Sequence, residues 1–150
     1  MRIMRILSVI IISVFCGAYV YSQCLGGDCA NGKGKMKYPD GKVWDGQFVK
    51  GLPDGKGIMT MPDGRKFDGI MKGGKMFNGT LSFPDKASYT GEFKNGNMEG
   101  KAVMKYPDGK VYDGQFVNGK PNGHGIMRLK DGSKHEGQWK EGKPHGQGKM

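Results

Sequence analysis

A five-residue segment built as ring, any residue, glycine, any residue, large apolar side chain returns along this chain at nearly constant intervals. Its copies are WDGQF from Trp44, FDGIM from Phe67, YTGEF from Tyr89, YDGQF from Tyr112 and HEGQW from His135, spaced 23, 22, 23 and 23 residues. A glycine follows each at one offset, namely Gly51, Gly74, Gly96, Gly119 and Gly142. Most copies then carry a G-x-G pair: Gly55 and Gly57, Gly123 and Gly125, Gly146 and Gly148. The copy from Tyr89 has Ala102 in place of the second glycine, and the copy from Phe67 is one residue short and keeps only Gly79. A period of this length is one supersecondary unit, too small to bury an apolar face unless its neighbours stack on it.

The copies converge again on a turn. Pro39-Asp40-Gly41, Pro62-Asp63-Gly64, Pro84-Asp85-Lys86, Pro107-Asp108-Gly109 and Lys130-Asp131-Gly132 share one register. Proline presets φ, aspartate bonds its own backbone, and glycine takes the left-handed conformation that closes a hairpin with a bulge. Short runs of alternating character flank the turn, such as Gly57–Met61 before it and Lys66–Met71 after it. Such alternation predicts strands.

Taken together, Y-x-G-x-F-x-x-G-x-x-x-G-x-G followed by D-G resembles the MORN repeat over nearly all of residues 23–150. A half repeat occupies 24–43, and further copies start near 44, 67, 89, 112 and 135. The fold expected is all-β: an elongated, single-layer antiparallel sheet of tandem hairpins, after an N-terminal signal or anchor helix. In YDGQF, Tyr112, Gly114 and Phe116 share one face of their strand. A ring from the neighbouring strand is expected to lie over the bare backbone at Gly114. Met36, Met59, Leu81, Met104 and Met127 recur at one offset and join that face, as do Tyr38, Met61, Phe83, Tyr106 and Leu129. Two strands per repeat make a ribbon about 50 Å long.

Composition agrees with a thin structure. Glycine is 28 of 150 residues and apolar residues are 36%, too little bulk for a thick two-layer core. Aromatic residues at 10% and 11 methionines argue against plain disorder.

Residues 1–22 read as an export signal, with Arg2 and Arg5 ahead of an apolar stretch from Ile6 to Phe15 and a cut expected after Ser22. A retained anchor is the alternative, although the stretch from Ile6 to Tyr21 is shorter than the roughly 20 residues a spanning helix wants. Either way the repeats are expected outside the cytoplasm: secreted, periplasmic or membrane-anchored. Cys24 and Cys29 then remain as an even pair in an oxidising compartment, close enough for one small disulfide loop. Metal binding there would need two further ligands, and redox chemistry favours a C-x-x-C spacing.

Catalysis finds little to stand on. The recurring aspartates follow the turns rather than forming an acid/base pair, and neither a nucleophile elbow nor a phosphate loop is present. His135 stands where other copies carry a ring and reads as a packing residue, while His124 and His145 sit near glycine-rich connections. No enzyme activity, cofactor or metal is expected. Some lipid kinases carry MORN repeats beside a catalytic domain, but only the repeats are resembled here.

Binding is the better reading. A scaffold would present exposed rings among Trp44, Phe48, Phe67, Tyr89, Phe93, Tyr112, Phe116 and Trp139 to a protein partner. The alternative is a peripheral membrane role, in which Lys94, Lys101, Lys105, Lys110 and Lys120 meet anionic lipid head groups. The resemblance implies lipid association as well. Without Arg2 and Arg5 the chain keeps 22 basic residues against 14 acidic ones, a surplus that attracts anionic partners without selecting one. Nucleic acid is not expected, because the rings alternate for packing rather than stacking on bases. The last repeat has barely begun its second strand at Met150, so an edge-strand homodimer is a further expectation.

Overall fold

The computed structural model describes residues 22–149, so residues 1–21 of the expected export segment lie outside the described residues. Twelve strands follow one another: β1 (Gln23–Gly27), β2 (Gly32–Lys37), β3 (Val43–Val49), β4 (Leu52–Thr60), β5 (Lys66–Lys72), β6 (Lys75–Ser82), β7 (Ser88–Lys94), β8 (Asn97–Lys105), β9 (Val111–Val117), β10 (Lys120–Arg128), β11 (Lys134–Lys140) and β12 (Lys143–Lys149). Each pairs only with its sequence neighbours, giving a single open sheet in chain order. All pairings are antiparallel, as consecutive hairpins require.

Two kinds of turn alternate along the array. At the first, the Gly41 amide donates to the Tyr38 carbonyl at 2.9 Å, and Asp40 Oδ1 accepts the Lys42 amide at 3.1 Å. The third turn residue is left-handed in every copy: Gly41, Gly64, Gly109 and Gly132 have φ of 82°, 85°, 88° and 87°. Lys86 holds φ of 72° where the others have glycine. A left-handed conformation costs a residue with a Cβ about 1 kcal/mol, and the greater freedom of glycine in the unfolded chain offsets part of it. Lys86→Gly is therefore expected to raise the melting temperature by a few degrees in a thermal scan. An unchanged or lower value would show that the turn carries no such strain.

The second turn joins the strands within each repeat and holds the glycine that follows each five-residue segment. Lys50-Gly51, Gly73-Gly74, Asn95-Gly96, Asn118-Gly119 and Glu141-Gly142 all have positive φ at both residues, near 50° and then near 80°. That is the type I′ turn, whose backbone twist matches the strands it joins. The Asn-Gly pairs at 95–96 and 118–119 were its readable signature.

Between the turns, facing residues line up in rows across the sheet. One row on the packed face runs Met36, Trp44, Met59, Phe67, Leu81, Tyr89, Met104, Tyr112, Met127, His135. The adjacent row contains Gly34, Gly46, Gly57, Gly69, Gly79 and Gly91, and then Ala102, Gly114, Gly125 and Gly137. Two even strands bulge alike beside this row: Asp54–Lys56 of β4 lie opposite Gln47 alone, and Asn122–His124 of β10 lie opposite Gln115 alone. Two extra residues keep the alternation in phase, so the strand regains its face beyond the bulge. The first glycine of each G-x-G pair allows this, with φ of 103° at Gly55 and 95° at Gly123.

Candidate binding surfaces

The rings are the core of this thin fold. Trp44, Phe48, Phe67, Tyr89, Phe93, Tyr112, Phe116 and Trp139 are all between 0% and 6% exposed. The first ring of each unit lies along its own strand. A Cβ at Gly114 would come within 2.5 Å of the Tyr112 hydroxyl, and one at Gly125 on the facing strand within 2.3 Å. The expectation that a neighbouring strand supplies the ring over Gly114 is thus corrected: Tyr112 supplies it from two residues back and covers Gly125 as well. The cause is the lean of strand side chains along the strand direction, which carries the ring tip to the carbonyl beside the bulge. Trp44 Nε1 donates to the Gln47 carbonyl at 3.1 Å, the Tyr89 hydroxyl to Glu92 at 2.7 Å, and the Tyr112 hydroxyl to Gln115 at 3.2 Å.

Successive units then lock edge to face. Phe67 meets Phe93 at 5.5 Å, Tyr89 meets Phe116 at 5.2 Å, and Tyr112 meets Trp139 at 5.1 Å between ring centres. Within strands, Tyr89 packs on Phe93, Tyr112 on Phe116, and His135 on Trp139. His135 is therefore a packing residue, as its position suggested. None of the eight rings offers an open contact face, so the expected aromatic recognition surface is corrected: burial against glycine and against the next repeat consumes it.

Burial also sets the protonation of the phenols. Desolvation is the first cause that pushes Tyr38, Tyr89 and Tyr112 up to about 12. A phenol whose pKa is raised on folding stabilises the fold fully below the unfolded value near 10 and loses that contribution as pH rises through 12. Denaturation midpoints for the full chain are expected to be level from pH 8 to about 10 and to fall steeply beyond it. A midpoint still level at pH 12 would contradict this account.

The five lysines singled out in the sequence are all exposed. Lys110 Nζ lies 2.8 Å from Asp108 and Lys120 Nζ 2.6 Å from Glu141, so two of them are already paired. The Lys110 hydrogen bond holds the Asp108 carboxyl below its ordinary value, and the Lys120 bond does the same for Glu141. Lys94, Lys101 and Lys105 have no ion pair among the described residues.

Pairing register reveals an order that no single repeat shows. On the face opposite the rings, one row reads Lys37, Val43, Thr60, Lys66, Ser82, Ser88, Lys105, Val111, Arg128, Lys134. Every charge in it is basic and exposed. The neighbouring row reads Lys35, Asp45, Ile58, Asp68, Thr80, Thr90, Val103, Asp113, Ile126, Glu136. It carries four carboxylates and one lysine. Of these positions only Lys105 was singled out from sequence, because each row is assembled from different strands by their pairing register.

The remaining polar groups serve the scaffold. Asn31 Oδ1 accepts the Lys50 amide at 2.9 Å, Asp54 Oδ2 the Gly73 amide at 3.1 Å, and Glu99 Oε2 the Asn118 amide at 3.0 Å, each tying one repeat to the type I′ turn of the next. Cys24 and Cys29 form the expected disulfide, with Cα atoms 6.0 Å apart. Among the described residues no group of histidine, cysteine, aspartate and glutamate is placed to hold a metal ion. A groove of about 450 Å³ opens on the ring-bearing face around Met59, Met61, Met71 and Met76.

The MORN repeat family matches residues 30–43, 44–64, 89–111, 112–134 and 135–150. This chain belongs to the MORN repeat family. The matches leave out 65–88, which holds the MORN copy that is one residue short, has methionine at the second ring position and lysine for the turn glycine. No curated protein matches the chain. MORN repeats are generally binding or scaffold modules, often associated with proteins or membranes, and that coarse function holds for this chain.

Proposed function

We propose that this protein is a non-catalytic scaffold, working outside the cytoplasm, that holds a protein partner on the sheet face opposite the rings. The observation that carries the reading is the basic row from Lys37 to Lys134 running beside a row of carboxylates. A uniformly anionic bilayer would attract the first row and repel the second at the same approach. A protein with charges of both signs satisfies the two together, which gives register as well as affinity. Lipid head groups on Lys94, Lys101 and Lys105 remain the second reading, supported by the absence of ion pairs at those three ammoniums among the described residues. The carboxylates support a non-catalytic role, since Asp40, Asp63, Asp85, Asp108 and Asp131 each accept a turn amide and Asp54 and Glu99 tether turns.

The test reverses charge on the row. A triple Lys66→Glu, Lys105→Glu, Arg128→Glu variant should keep its melting temperature within about 2 °C, because exposed charges contribute little to stability. In-cell crosslinking should recover a discrete partner with the parent chain and lose it with the variant. Recovery of the same partner from both would reject this face. Flotation of the parent chain with anionic vesicles at physiological salt, lost when Lys94, Lys101 and Lys105 become glutamine, would favour the membrane reading instead.

A further inference from the structure

We propose that the methionine-lined groove on the ring-bearing face is a binding site for a single-chain fatty acid. The inference goes beyond the scaffold reading and does not depend on it, since it concerns the other face of the sheet. The groove opens where this array departs from its own repeat. The second ring position holds Phe48, Phe93, Phe116 and Trp139 in the other copies but Met71 in this one. The position before the turn holds Tyr38, Phe83, Tyr106 and Leu129 in other copies but Met61 in the copy from Trp44, directly before the one that carries Met71. Both substitutions line the same opening, and Met71 faces Met76 directly across β5 and β6. Two missing rings leave a trough floored by flexible, polarizable side chains, which adapt to an apolar guest better than rigid rings do. Its volume of about 450 Å³ lies within the range of small-molecule sites, roughly 300 to 1,000 Å³.

A second observation sets the polarity of the guest. Tyr38 lines this groove, and its hydroxyl is buried beside it with no hydrogen-bond partner among the described residues. Buried polar groups are nearly always satisfied, so a hydroxyl left over beside an apolar groove, on a residue that lines it, calls for an acceptor from outside the chain. Lys42 lies at the same end as Tyr38, whose amide donates to the Lys42 carbonyl at 2.8 Å, and Lys75 lies elsewhere on the rim. Asp40 is the one acid in the lining and is held by Lys42 at 2.8 Å, which leaves the rim with a surplus positive charge. An extended peptide fits poorly, because its backbone would present polar groups along the whole floor to thioethers and Leu52, which cannot answer them. An alkyl chain asks nothing of the floor and brings one carboxylate to accept from Tyr38.

Titration of the full chain with the fluorescent fatty acid cis-parinarate below its micellar concentration, and displacement by palmitate, reads this directly. Saturable one-to-one binding is expected. Met71→Phe restores the ring of the other repeats, so it should weaken binding at least tenfold while leaving the melting temperature level or higher. Met61→Tyr copies Tyr38 and Tyr106 and gives the same reading should the first variant fold poorly. Tyr38→Phe should weaken binding about fivefold without destabilising the free protein, whose orphaned hydroxyl it removes. The charge-reversed triple variant should bind palmitate as the parent does. Absence of saturable binding, equal binding by the ring-restored variants, or lipid uptake only as adsorption to vesicles would each overturn the proposal.

Discussion

Tyr112→Ala is expected to cost about 4 kcal/mol of stability, the typical price of removing a fully buried ring. Tyr112 has no exposed surface, lies over Gly114 and Gly125, and contacts Phe116 at 5.3 Å and Trp139 at 5.1 Å. In a thick globular core, neighbours partly collapse into such a vacancy. Here the floor is bare glycine backbone and no second layer lies above it, so little can move in. The loss should also be local, because each repeat contacts only its neighbours and stability is nearly a sum along the array. Denaturant unfolding followed by hydrogen exchange should therefore show β8 to β12 opening well before β3 to β6. Tyr112→Phe should cost only about 1 kcal/mol, the value of the bond to the Gln115 carbonyl. A loss below about 1 kcal/mol for the alanine variant would show that the ring ladder is not the main source of stability.

How much of this was legible follows from where each signal lies along the chain. The repeat, the Pro-Asp-Gly turns and the alternation are local, and they carried the two strands per repeat and the one-layer sheet, but not β1 ahead of the half repeat, nor β12, which was expected to have barely begun and runs over Lys143–Lys149. The pairing of Cys24 with Cys29 was legible for the same reason, five residues being a local distance. The type I′ turns were written at Asn95-Gly96 and Asn118-Gly119 but were obscured where Lys50 and Glu141 take the same conformation at a cost. The contact face was misplaced because an aromatic residue on a thin sheet reads as exposed until the ring of the next repeat covers it, as Phe116 covers Tyr89. The charged rows were invisible for a different reason. Lys66 and Lys105 become members of one row only after the pairings β5 to β8 fix their register.

Gly125→Ala is expected to cost about 2 to 3 kcal/mol, within the range for overpacking a tight site. The added methyl would sit 2.3 Å from the Tyr112 hydroxyl oxygen and 2.5 Å from its ring edge, closer than real contacts allow. Gly125 lies within β10 and is not left-handed, so the penalty is steric and not conformational. The chain contains its own control in Ala102, which occupies the corresponding place in the preceding unit and is buried. Ala102 is tolerated because the bulge there lies one residue later, with Gly100 to Ala102 opposite Gly91. That shift lets the Tyr89 hydroxyl bridge the strands, donating toward Glu92 and Glu99 carbonyls at 2.7 and 3.0 Å and accepting the Glu99 amide at 3.2 Å. Tyr112 has only the Gln115 carbonyl and cannot move up without losing it. Ala102→Gly should consequently change stability by less than about 1 kcal/mol, the backbone freedom of glycine offsetting any relief of crowding. Comparable losses for Gly125→Ala and Ala102→Gly in parallel denaturant titrations would mean that ring placement does not depend on the bulge.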